Sequence, residues 1–241
     1  MRRFFVDTIN SDVLTTGSIL NVPEELFHRI KNVLRINEGD KLEFIDGKGL
    51  LISVEVVGSG KQASFKTTKI DKIKREKPLL GLAVSMIRRE RFDLLVEKAV
   101  ELGVDIIIPV ETEYSRPFAS ESYSKLEERW QRIADQALSQ CKRVFRCKIN
   151  EVLKIDELFK ETSFDEKIFF HFGKEKINSN AIKKNKSHLF IIGPEGGFSD
   201  KELALLNQEK INSYSLIDDI LRTETAAFYV LSIFNFINFD V

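Results

Sequence analysis

The amino-acid sequence predicts an α/β protein preceded by a smaller β-rich module. After Pro78, apolar runs the length of buried strands alternate with segments of helical apolar spacing, the pattern of parallel βαβ units. Before Pro78 the runs are short, strand-like and punctuated by turn residues. Between the two lies Lys69–Lys77, which carries Lys69, Lys72, Lys74, Arg75 and Lys77 against Asp71 and Glu76 and reads as a linker.

In the first region, Leu42–Ile45 and Leu50–Val57 flank Asp46-Gly47-Lys48-Gly49, a hairpin signal, and Gly58-Ser59-Gly60 marks a second turn. Leu26, Phe27, Ile30 and Val33 follow Pro23 at helical spacing. In the second region, Leu79–Ile87, Ile106–Val110, Ile168–Phe172, Leu189–Ile192 and Tyr214–Ile217 are the expected strands. Helices are expected over Phe92–Leu102, closed by Gly103, and over Glu224–Ile237. Two capping boxes, Ser124-Lys-Leu-Glu127 and Ser199-Asp-Lys-Glu202, open two more. The first of these presents Leu126, Trp130, Ile133, Ala134, Ala137, Leu138 and Cys141 on one face.

Composition narrows the function. The 241 residues include 37 Lys+Arg and 37 Asp+Glu, for a formal net charge of zero. A protein that binds nucleic acid by bulk phosphate neutralisation carries excess basic charge, and this one does not. The zero is a cancellation: residues 1–77 hold 14 basic and 11 acidic residues, and residues 78–241 hold 23 and 26. A hydrophobic fraction of 43% with 31% charged residues suits a folded soluble chain. No apolar run approaches the roughly 20 residues of a membrane span, and the N-terminus lacks a signal-peptide pattern. Cys141 and Cys147 are too few and too close for a disulfide framework or a zinc site. A cytoplasmic protein without metal is the expectation.

In open α/β sheets ligands bind where strands end and helices begin. Leu189–Ser199 has that form: a buried strand, the turn Gly193-Pro-Glu195-Gly196-Gly197, then a capped helix. It matches neither a Walker loop nor Gly-x-Gly-x-x-Gly, and by itself it reads more readily as a tight connection than as a ligand loop. Ile220-Leu221-Arg222-Thr223-Glu224-Thr225-Ala226 also joins a strand to a helix. There Thr223 can act as N-cap and Glu224 can simply favour the helix dipole.

Taken together, these two segments resemble the RsmE family of ribosomal RNA methyltransferases in the SPOUT superfamily. The likeness extends to Arg2-Arg3-Phe4-Phe5-Val6, to His28 with Val33-Leu34-Arg35, and to the Gly39-Asp40 turn. Glu97–Val104 and Arg129-Trp130 through Gln136-Ala137 resemble the family's middle region. The resemblance implies a PUA-like RNA-binding β-barrel over residues 1–72. It also implies a SPOUT methyltransferase domain over 73–241, with a C-terminal trefoil knot, a bound S-adenosyl-L-methionine and a homodimer. The implied reaction is methylation of N3 of a uridine in small-subunit (16S) ribosomal RNA. The cofactor is then expected against Phe170, His171 and Phe172, Gly193, Glu195 and Gly197, and Ser215, Leu216, Ile220, Leu221 and Thr223. Two departures stand out. Leu216-Ile217-Asp218-Asp219 replaces a segment that usually has Gly and Arg, and Lys142-Arg143 replaces a Gly-Arg pair.

For such a reaction Arg222 suits stabilisation of charge on the uracil carbonyls, and Glu224 suits accepting the N3 proton or orienting Arg222. RNA contacts are expected from Arg2, Arg3 and Arg35, from Arg88, Arg89 and Arg91, and from Lys142, Arg143 and Arg146, though each singly is also an ordinary solvated charge. His28 and His188 read as structural, Trp130 as packing and Cys141 as a buried thiol. Two rival readings remain at this stage: a non-catalytic RNA-binding protein, and the same chemistry on another RNA such as tRNA.

Overall fold

The computed structural model describes residues 1–9, 14–30, 36–58, 63–115, 122–160 and 164–238. Val33, Leu34, Arg35 and the Ser59-Gly60 turn lie outside them. The chain forms two compact units. One comprises Met1–Glu76 together with Leu138–Arg146, and the other Lys77–Ala137 with Cys147–Val241.

The first unit is a five-stranded sheet of β1 (Arg2–Phe5), β2 (Ile19–Leu20), β3 (Lys41–Ile45), β4 (Leu50–Val57) and β5 (Ser64–Lys72), in the order β1-β3-β4-β5-β2. Strand β1 runs parallel to β3, and the remaining pairs are antiparallel. The hairpin between β3 and β4 is locked by Asp46 Oδ1, which accepts from the backbone N–H groups of Lys48 at 2.7 Å and Leu50 at 2.9 Å. Helix α1 (Glu24–His28) follows Pro23 and sets the Phe27 ring edge-on to Phe65 at 5.7 Å. The core gathers Phe4, Leu42, Phe44, Ile52, Val54 and Phe65.

The charged stretch is half strand rather than all linker, since Lys69–Lys72 complete β5 and pair with Leu50–Ser53. Lys69 and Lys72 stay exposed while Ile70 and Asp71 are half-buried, so a polar run can hold a ladder. The segment Leu138–Arg146 joins this unit through Arg146 N–H, which donates to the Gly47 carbonyl at 2.8 Å. The Arg146 guanidinium stands 4.8 Å over the Phe5 ring.

The second unit holds the parallel sheet β12-β10-β11-β6-β7-β8, built from β6 (Leu80–Ser85), β7 (Ile106–Glu111), β8 (Lys148–Ile149), β10 (Glu166–Phe170), β11 (His188–Ile192) and β12 (Asn212–Tyr214). A short β9 (Leu153–Lys154) also pairs with β7. Every residue of β6 and β11 is buried, as continuous apolar runs require. Helices α2 (Arg89–Glu101) and α5 (Thr223–Asn238) pack together, and α5 also lies on β6 and β11. Leu206 of α4 (Asp200–Gln208) belongs to the core that includes Ala83, Ile108, Phe169 and Leu189. Helix α3 (Tyr123–Gln140) is fastened to α2 by Trp130 on Phe92, centroids 4.3 Å apart, and by Arg129 on Asp93 at 2.5 Å.

The two capping boxes fare differently. Ser199 and Glu202 make both reciprocal bonds at the start of α4. Ser124 instead lies inside α3, and Glu127 accepts from the Val152 backbone at 3.0 Å, so a tertiary donor takes the carboxylate the motif reserves for its own helix. Cys141 is only half-buried, and Cys147 is the buried thiol. Helix α5 is not buried all round, because Tyr229 and Phe236 face outward.

Two predictions follow from these contacts. His188 is fully buried; Nδ1 lies 2.8 Å from the Lys186 carbonyl, and Nε2 accepts from the Lys183 backbone at 3.2 Å, which fixes the neutral ring. Burial holds its pKa below the ordinary 6.5. The unfolded chain therefore takes up a proton that the folded chain refuses, so stability is full above pH 6.5 and is lost as pH falls toward the depressed value. Thermal melts should show that loss, and His188→Gln should remove its part of the slope. Lys142 has φ +59°, in the left-handed region where glycine is at ease. Lys142→Gly should raise stability by about 1 kcal/mol in urea unfolding.

Candidate active site

Register aligns the ends of four parallel strands. Phe170 of β10 pairs with Ile192 of β11 and Tyr214 of β12, and Ile192 pairs with Val84 of β6. The chain leaves β10, β11 and β12 at one level, and the loops that follow enclose a cavity of about 230 Å³. Each residue expected to hold the cofactor lines it. Phe170, His171 and Phe172 come from the first loop, Gly193, Glu195 and Gly197 from the second, and Ser215, Leu216, Ile220, Leu221 and Thr223 from the third.

Each loop is held by its own bonds. In the glycine loop, Gly197 N–H donates to the Pro194 carbonyl at 2.9 Å, and Gly197 takes φ +73°. Phe198 drops into the core edge-on to Phe169, and a Cβ on Gly193 would stand 3.1 Å from the Phe198 ring. Glu202 accepts from Ser199 N–H and from Glu113 N–H, both at 2.8 Å, joining the loop to the end of β7. The loop after β12 is braced on the loop after β10. Ser215 N–H donates to the Glu175 carbonyl at 2.8 Å and Ser215 Oγ to the Lys174 carbonyl at 2.9 Å. Buried Thr223, at the head of α5, donates its hydroxyl to the Gly193 carbonyl at 3.0 Å.

The walls combine apolar side chains with two carboxylates, Glu195 and Asp219. Burial, then the nearby Lys174, holds the His171 pKa below the usual range, so the ring is neutral near pH 7. Phe172 and Ile220 stand at the cavity with 56% and 75% of their surface exposed. Pro194, Gly196, Ile217 and Asp219, within the expected loop segments, also line it, as do Ile192 and Ala226, which were not expected. Gly196 and Ala226 were within reach of the sequence, one as a member of the same turn and the other as one helical turn beyond Thr223.

Arg222 and Glu224 flank the cavity without lining it. Arg222 is exposed, with no ion-pair partner among the described residues. Glu224 is 8% exposed, and its Oε2 is sealed from solvent with no hydrogen-bond partner among the described residues. Its other oxygen, Oε1, lies 3.8 Å from Arg91 Nε.

The expected RNA-binding residues divide. Arg2, Lys142 and Arg146 are exposed in the first unit, Arg143 there is half-buried, and Arg88 is exposed at the head of α2 with Arg89 half-buried beside it. Arg35 lies outside the described residues. Arg3 and Arg91 are occupied elsewhere. Arg3 pairs with Glu43 at 2.9 Å and donates to the Lys142 carbonyl, while Arg91 pairs with Glu195 and lies 3.8 Å from Glu224. Carboxylates placed by the fold hold these two guanidiniums, which a reading of charge along the chain cannot detect.

Fold and site together define a class: the chain belongs to the RNA methyltransferase domain family, whose sequence profile matches residues 75–235. The profile of the RNA methyltransferase PUA domain matches residues 22–67. Within that class its relatives include proteins named Ribosomal RNA small subunit methyltransferase E. The Bacillus subtilis protein of that name is 26% identical, covering 96% of this chain and 95% of the relative. The Mesomycoplasma hyopneumoniae protein is 31% identical, covering 70% and 76%. Among solved structures, that methyltransferase from Neisseria gonorrhoeae, bound to S-adenosyl methionine, superimposes with a TM-score of 0.87 at 26% identity, covering 99% of this chain and 98% of the other. A Legionella pneumophila methyltransferase in complex with SAM gives 0.86 at 26% identity, with the same coverage.

The glycine loop generates a stability prediction. Gly193→Ala pushes on the Phe198 ring and should cost about 1–3 kcal/mol. Gly197→Ala meets only the His171 ring at an ordinary contact distance of 3.8 Å but a left-handed backbone, and should cost about 1 kcal/mol. Urea unfolding of both variants checks the order.

Proposed function

We propose that this protein is an S-adenosylmethionine-dependent methyltransferase acting on N3 of a uridine in small-subunit (16S) ribosomal RNA. The observation that carries the reading is the single cavity formed by the loops after β10, β11 and β12, in a chain that matches the RNA methyltransferase family over residues 75–235. The residues present fit the cofactor. Apolar walls suit an adenine ring, close-approaching glycine backbone offers N–H and C=O groups, and Asp219 suits a cation. Neutral His171 adds no opposing positive charge. Ile217 and Asp219, where the family usually has other residues, are part of this wall and leave its acidic character intact.

When bound, S-adenosylmethionine supplies a methyl group already activated on a sulfonium. The chain's residues then have to hold the uracil and make its N3 nucleophilic. Exposed Arg222 sits between Leu221 and Thr223, two cavity residues, and its guanidinium can donate to the uracil carbonyls. With negative charge held there, the N3 proton leaves to water and the N3 lone pair is available. Glu224 acts from behind, fixing the turn that carries Arg222.

RNA is held by the first unit, where Arg2, Lys142 and Arg146 are exposed and the PUA profile matches. Arg88 and Arg89 supply a second group of basic side chains. The enzyme works as a cytoplasmic homodimer. Exposed Tyr229 and Phe236 of α5 and Leu94 of α2 support an apolar subunit contact. A trefoil knot is supported by β11 lying inside β10 in the sheet while the segment after β12 returns to hydrogen-bond Gly193.

Calorimetry with S-adenosylmethionine, followed by methyl transfer to small-subunit particles and mapping of the modified base, tests the reading. Arg222→Ala should lower kcat by about 100-fold with cofactor affinity unchanged, and Glu224→Gln should have a smaller effect. Full activity in both would remove them from the mechanism, and a folded protein that does not bind the cofactor would overturn the function.

A further inference from the structure

Helix α2 breaks an electrostatic rule at its start. Arg88, Arg89 and Arg91 crowd a helix N-terminus, where the backbone dipole favours anions and Glu90 is the acidic residue of the first turn. For Arg91 the compensation is visible. Its guanidinium pairs with Glu195 in the glycine loop, and its Nε lies 3.8 Å from Glu224 Oε1 in the first turn of α5. Glu224 needs that charge, since a carboxylate with 8% exposure and one unpartnered oxygen is costly without a cation nearby.

The arrangement rests on two parallel helices in register. Arg91 meets Glu224 at their heads, and eleven residues further along each helix Asn235 Nδ2 donates to the Leu102 carbonyl at 2.6 Å. The heads of α2 and α5 therefore converge on the glycine loop, which Thr223 already grips at Gly193. Arg91 adds the second grip, at Glu195.

We propose that Arg91 is a positioning residue for methyl transfer rather than an RNA contact. It locks the loop that lines the cofactor cavity to the turn that carries Arg222. The inference rests on the function proposed above and names the residue that sets the geometry of that same site.

The test uses the full-length protein as Arg91→Gln, Arg91→Lys, Glu195→Gln and the Arg91→Gln/Glu195→Gln double variant. Arg91→Gln should weaken S-adenosylmethionine binding at least about tenfold in calorimetry. At saturating cofactor its kcat on small-subunit particles should fall by about 100-fold. The salt dependence of RNA affinity should stay as in the wild type, and Arg91→Lys should recover part of both losses. Glu195→Gln should weaken cofactor binding alone and add little in the Arg91→Gln background, because the two share one interaction. Unchanged cofactor affinity and kcat, with the salt slope lowered by about one, would make Arg91 a phosphate contact and overturn the proposal. If Arg91→Gln does not fold, wild-type cofactor affinity in Glu195→Gln overturns it instead. A wild-type protein that fails to bind S-adenosylmethionine defeats the function itself, an outcome distinct from any of these.

Discussion

The site depends on a single buried hydrogen bond, from the Thr223 hydroxyl to the Gly193 carbonyl. It joins the loop after β11 to the head of α5, two segments that no local motif connects. With that bond in place, the stretch from Ser215 to Leu221 must pass over the ends of β10 and β11, so three loops face one space. The bond also bears on the residue type: threonine at the head of α5, expected as its N-cap, is the first residue of the helix and uses its hydroxyl across the fold.

Charge is sorted around this point with the same economy. The cavity carries carboxylates and a neutral imidazole, a suitable lining for a small cationic ligand. Arg2, Lys142 and Arg146, exposed basic residues, belong to the other unit, which combines the N-terminal 76 residues with the segment Leu138–Arg146. Arg3 spans 139 positions to reach the Lys142 carbonyl, so the N-terminal strand and the segment after α3 form one basic group. The zero net charge of the sequence conceals this sorting: carboxylates line the cavity, while exposed arginine and lysine side chains gather in the first unit.

Local rules were legible wherever the partner was local. Ser199 and Glu202 made their capping box, the Asp46–Gly49 turn made its hairpin, and the apolar runs of β6 and β11 became buried strands. Where a distant group competed, the local reading lost. Glu127 went to Val152, Lys69–Lys72 became strand because β4 offered a ladder, and Lys142 took a left-handed backbone usually left to glycine. Arg91 is the sharpest case. Its neighbours along the chain suggest a basic surface, yet Glu195 and Glu224, more than a hundred residues away, hold it.

The sequence by itself determined the class of fold and the segments that build the cavity, because hydrophobic period and turn chemistry are properties of neighbouring residues. It also carried the motifs that identify the family. Only the tertiary structure decided which charged groups are free to meet a ligand and which are spent inside the protein. Arg222 is exposed, Glu224 is sealed, and Arg3 and Arg91 are paired. An ion pair is set by distance in space, and in this chain the distances that matter are fixed by parallel strands ending together and by two helices meeting at their heads.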